Sequence, residues 1–92
     1  FPKSEKVLDY RRLQVETVYR SGDHEAVVAA AEMLAEEYRK TVKSFPPHAK
    51  KAVPAILGML EGFIADYRIE ANKGSAEAGE TAAKLEAIRD GL

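Results

Sequence analysis

The stretch DHEAVVAAAEMLAEEYRKTVKSFPP, residues 23–47, decides the fold. Its apolar positions Val27, Ala30, Ala31, Leu34, Tyr38 and Val42 recur at steps of three and four, which sets them along one face of a helix. Asp23 stands just ahead of this run, where a carboxylate can accept from the unpaired N–H groups of a first turn. Phe45-Pro46-Pro47 stops it. Two consecutive prolines lack N–H donors and disfavour helix in the residue before them, so this helix ends by about Ser44.

Working outward, Ser21-Gly22-Asp23 reads as a tight joint, with Gly22 supplying a left-handed conformation past the preceding helix. A first helix over residues 5–20 is expected before it, capped by Ser4. Its stripe of Leu8, Val15, Val18 and Tyr19 is interrupted by Arg11 and Arg12. So short a joint makes the first two helices antiparallel neighbours. The third helix is expected to start near Pro47 or His48. Pro54 either kinks its second turn or marks the true first turn after a short irregular piece. Val53, Ile56, Leu57, Leu60, Ile64 and Tyr67, with Phe63 alongside, form its core stripe. Asn72-Lys73-Gly74-Ser75 supplies a stop and the next cap. The last helix, over 76–90, packs through Ala78, Ala82, Leu85 and Ile88, with Leu92 past its end.

No alternating run bounded by turns suggests a strand. The expectation is an all-α chain, one domain over residues 1–92, folded as an antiparallel up-down four-helix bundle.

Composition narrows the function. A hydrophobic share of 46% with 32% charged residues is that of a soluble globular chain rather than a disordered one. Fourteen Lys and Arg against fifteen Asp and Glu leave a net charge of −1, which gives no global pull toward nucleic acid or an anionic membrane. The absence of Cys excludes disulfides, thiolate metal sites and a cysteine nucleophile, and is compatible with any compartment. No apolar run is long enough for a membrane span, so any membrane association is peripheral. No signal or transit segment is visible, and a start at Phe1 fits a mature form or an excised domain alike.

Candidate chemistry fails for want of partners. His24 and His48 have no second ligand at the spacing that would place two on one helical face, and no Glu-x-x-His signature occurs. Both read as surface or capping histidines. Glu32, Glu36 and Glu37 lie off the apolar stripe, with Glu36 placed to pair with Lys40. Ser4, Ser21, Ser44 and Ser75 all fall at helix boundaries. Gly58 and Gly62, four apart, mark a close helix–helix approach rather than a phosphate loop, which needs a strand before it. The four tyrosines are too scattered for nucleic-acid stacking. The expected function is therefore not enzymatic, with no catalytic residue, cofactor or metal.

Charge placement says more. From residue 39 to residue 51 there are five bases, Arg39, Lys40, Lys43, Lys50 and Lys51, and no acid, whereas from Glu61 onward seven acids face four bases. Cations near a helix C-terminus complement its dipole. The same cluster also reads as a docking surface for an acidic protein partner.

Tyr38-Arg39-Lys40, then Ile56-Leu57-x-x-Leu60-x-Gly62-Phe63 leading to Tyr67, and Ala87-Ile88-x-x-Gly91 resemble the Psb twenty-seven family over roughly the last 55 residues. That family comprises small lumenal assembly and repair factors of photosystem II, four-helix bundles without cofactor or catalysis. The chain departs from it in its short first joint and in having Gly74-Ser75 where the family often has a proline-rich turn. The resemblance implies an accessory subunit in the thylakoid lumen, docked on a photosystem II core subunit and aiding assembly, repair or stabilisation, with Arg39 and Lys40 as candidate contacts. The alternative reading is a free-standing helical adaptor, chaperone or regulatory domain in an unspecified compartment, as a monomer or a homodimer.

Overall fold

The computed structural model describes residues 3–92, with side chains from Lys6 onward, and among them there are four helices and no strand. They are α1 (Lys3–Ser21), α2 (His24–Ser44), α3 (Pro46–Asn72) and α4 (Ala76–Asp90). Ser4 lies inside α1, past the position of a cap. The other joints follow the local chemistry. Gly22 has φ +83° and Gly74 φ +110°, and the side chains of Asp23 and Ser75 accept from Ala26 N–H and Ala78 N–H, each at 3.1 Å.

The third helix starts at Pro46, and Pro54 sits inside it. Prolines at its first two positions cost nothing, because N–H groups there have no intrahelical partner. Pro54 removes the N–H that would have bonded the Lys50 carbonyl, yet α3 runs on for 27 residues. At about 1.5 Å per residue that is about 40 Å, most of the 46 Å length of the molecule.

Cross-helix contacts set the directions. Thr81, early in α4, and Tyr67, late in α3, both lie against His24 at the start of α2. Tyr19, at the end of α1, meets Asp66 and Tyr67. The helices therefore run up, down, up and down, as expected. Their arrangement is less ordinary. α2 and α3 touch each other and each touches both α1 and α4, while α1 and α4 do not meet among the described residues. The α2–α3 pair is the spine, and α1 and α4 flank it.

The core follows from this. Val27, Ala30, Ala31, Leu34 and Ala35 of α2 are buried with Ala49, Ile56, Leu60, Ile64 and Tyr67 of α3. Leu8 and Val15 join from α1, and Ala78, Ala82 and Leu85 from α4. Burying a side chain of Leu or Val size stabilises by about 1.5–3 kcal/mol, and α1 is fixed chiefly in this way. Its two interrupting arginines are half-buried: Arg12 pairs with Glu16 at 3.0 Å, and Arg11 reaches Gln14 at 3.1 Å. Long stems can cover apolar surface while part of the charged head stays at the rim, although the Arg11 Nε is buried and has no hydrogen-bond partner.

Two expectations about packing are corrected. Val42 is 41% exposed and Thr41 takes the buried place, its hydroxyl donating to the Glu37 carbonyl at 2.8 Å. The close approach expected at Gly58 and Gly62 is absent, since a β-carbon on either would meet nothing within 4 Å. Both instead border an open groove of about 390 Å³ between α1 and α3, beside Tyr19, Met59 and Phe63. The glycine at a helix crossing is Gly79, whose β-carbon position would lie 3.6 Å from the Ala71 methyl.

Because a methyl at position 62 meets open space, Gly62→Ala removes only the backbone-entropy cost of a helical glycine. Chemical denaturation is expected to show a gain of about 0.8–1 kcal/mol; a loss of stability would mean that this glycine is packed.

Candidate docking surface

The five cations lie around the end of the bundle where α2 turns into α3, and the structure divides them. Lys43, Lys50 and Lys51 are exposed beside the joint. Lys40, one turn back, pairs with Glu36 at 3.5 Å, the pairing expected from their spacing. Arg39 turns aside: its guanidinium lies 3.5 Å from where a β-carbon would stand on Gly91, just past the end of α4. Arg39 there lines a groove of about 610 Å³ between α2 and α4 with Val28, Glu32, Ala35, Glu36, Lys84, Ala87 and Ile88. With acids and bases mixed along its walls, this groove has no single sign of charge.

Apolar residues complete the end, and the sequence pattern missed them. Val42 and Phe45 are each 41% exposed, and Pro46 and Pro47 are exposed too. α4 stops at Asp90, and Gly91 just past it lies beside the Arg39 guanidinium. Phe45 is the whole connection between α2 and α3. Its N–H donates to the Thr41 carbonyl at 2.7 Å, and its own carbonyl accepts from His48 N–H at 3.0 Å. The backbone is thus held by both helices, and the ring lies outside, stacked on His48 at 5.4 Å between centroids.

The opposite end holds an aromatic and histidine cluster. His24, read as a surface or capping residue, is largely buried against Tyr67, with Nδ1 3.2 Å from the Thr81 hydroxyl and 3.5 Å from Glu77. Since the Thr81 hydroxyl donates to the Glu77 carbonyl at 2.9 Å, its oxygen is left to accept from His24. Tyr19 stacks on Phe63 at 4.0 Å and donates to Asp66 at 2.6 Å. Burial holds the Tyr19 phenol far above the usual range, reinforced by its hydrogen bond to Asp66 and that carboxylate's charge. Burial also raises Tyr67, with Glu70 and Asp66 adding to the shift. A phenol raised in this way holds its proton and is poorly suited to act as a base or nucleophile. The cluster therefore reads as packing between α1, α2, α3 and α4.

Among the described residues no three His, Asp or Glu side chains are grouped to hold a metal, and no helix is long and apolar enough to cross a membrane. No protein-family model matches the chain, and no curated protein or solved structure matches it.

The Tyr19 shift carries a pH consequence. The unfolded chain releases this proton near a pH of about 10, whereas the folded chain retains it. Its contribution to stability is complete below about pH 10 and is lost progressively above it. Denaturation of the native chain between about pH 9 and 11 should show a steeper alkaline loss of stability than Tyr19→Phe; identical slopes would mean that Tyr19 is no more protonated folded than unfolded.

Proposed function

We propose that this chain is a non-catalytic accessory subunit, held on a larger assembly by its basic end. The observation that carries the reading is the segregation of charge. No acid occurs between Glu37 and Glu61, and the cations of that interval gather around the α2–α3 end, where Asp90 of α4 is paired with Arg89. Such a distribution orients the protein during approach to an acidic surface and speeds association, more than it adds to final affinity.

The resemblance to the photosystem II assembly and repair factors names the partner: a core subunit on the lumenal face of that complex. On this reading the compartment is the thylakoid lumen, and the role is assembly, repair or stabilisation. Lys40, Lys43, Lys50 and Lys51 face the partner together. Arg39 lies apart from them, with its guanidinium beside Gly91.

A second reading, self-association as a free-standing adaptor, has one observation in its favour. Tyr10 and Leu13 are 64% and 53% exposed on the outer side of α1, beside a depression of about 330 Å³. A mass that rises with concentration in ultracentrifugation would favour it.

Binding of the chain to isolated photosystem II cores tests the main reading. Reversal of Lys40, Lys43 and Lys50 to Glu should slow association by roughly tenfold or more at low ionic strength, with the gap closing as salt is raised. Unchanged association after triple reversal would remove the basic end as the interface.

A further inference from the structure

We infer that the α2–α3 end is also a peripheral anchor for an anionic lipid surface, with Phe45 as the side chain that enters the headgroup layer. Such anchoring goes beyond the docking reading and does not need it, though the two share the same end of the molecule.

Phe45 has no task inside the fold that requires an aromatic ring. It occupies the N-cap position of α3, where Ser, Thr, Asp or Asn is preferred. Here the cap is dispensable. Pro46 and Pro47 have no N–H to satisfy, and the next two N–H groups, of His48 and Ala49, bond the Phe45 carbonyl at 3.0 and 3.3 Å. The helix start needs only the backbone of residue 45. The ring is 41% exposed and stacks on His48 alone among the aromatic pairs described.

Four features then coincide. Phe45 and Val42 present apolar surface at the end of the molecule, each 41% exposed. Two exposed prolines beside Phe45 offer apolar surface without N–H donors to desolvate. Lys43, Lys50 and Lys51 lie exposed beside the joint, with Lys40, paired to Glu36, one turn back. The joint itself carries no carboxylate between Glu37 and Glu61, and of the acids near this end Glu36 is paired with Lys40 and Asp90 with Arg89. Aromatic rings settle at the headgroup level, and lysines within a Debye length are drawn to anionic lipid. An exposed apolar point suits a fluid surface, which needs no preformed hollow to receive it. A protein partner would have to supply one.

Phe45→Trp supplies the test, because the native chain contains no tryptophan and the introduced indole is then the sole reporter. The variant is titrated with vesicles of equal phosphatidylglycerol and phosphatidylcholine, and separately with pure phosphatidylcholine. The expected result is a blue shift of the indole emission with the anionic vesicles only, lost as salt is raised. Ile69→Trp, on α3 and 54% exposed, should show no shift. In co-sedimentation Phe45→Ala should bind about tenfold more weakly, and each of Lys43→Ala and Lys50→Ala about fivefold. Circular dichroism checks that every variant is folded. The inference is overturned if anionic vesicles are not bound, or if they are bound with the Phe45→Trp emission unshifted or with Phe45→Ala unaffected. Should vesicles fail while Lys40, Lys43 and Lys50 still govern binding to photosystem II cores, the end is a protein contact alone and the docking reading stands without the lipid anchor.

Discussion

The rest of the structure depends on α2 and α3 each holding both flanking helices, with the most extensive packing inside the α1–α2 and α3–α4 hairpins. In a square bundle each helix leans on two neighbours. Here α1 and α4 do not touch among the described residues, so each is held only by the central pair. Ala30, Ala31 and Leu34 of α2 and Ile56, Leu60 and Ile64 of α3 belong to one buried cluster. This is how 92 residues hold a core despite the poor ratio of volume to surface in a chain so short. The flanking helices add little bulk. α4 buries Ala78, Ala82 and Leu85, and α1 buries Leu8 and Val15.

The spine also fixes the α2–α3 end. Phe45 alone joins α2 to α3, and its backbone is hydrogen-bonded into both. Whatever meets this end meets a rigid point, with little ordering entropy left to lose on binding. At this end the Arg39 guanidinium lies beside Gly91, just past α4, while Val42 is exposed and its neighbour Thr41 is buried.

Much of this was legible in the sequence, because short joints and a clean three-and-four pattern leave few alternatives for helices. The caps at Asp23 and Ser75 and the left-handed glycines were readable for the same reason: the chemistry there is local. What was not legible depends on which helix stands opposite. Val42 continues the stripe of Val27 and Leu34 in projection, but a stripe drifts along a helix, and Thr41 is the residue buried there; nothing local to α2 encodes that. His24 looked like a capping residue because Tyr67, its packing partner, lies in α3, far along the chain. Gly58 and Gly62 imitate a crossing motif, but only the actual neighbours reveal open space there and contact at Gly79. The five cations stand together already in the sequence, whereas the turning aside of Arg39 required the position of Gly91. In the sequence Phe45 marks only a break, since its exposure depends on what surrounds it.

Native-state hydrogen exchange tests the central claim, that α2 and α3 form one spine carrying the basic end. Amides of Val27 to Leu34 and of Ile56 to Tyr67 should exchange only through global unfolding, with α1 and α4 opening at lower free energy. The Thr41 to Ala49 turn should stay protected by the hydrogen bonds to Phe45. Equal protection in all four helices, or opening of the α2–α3 joint before α1 and α4, would contradict the account.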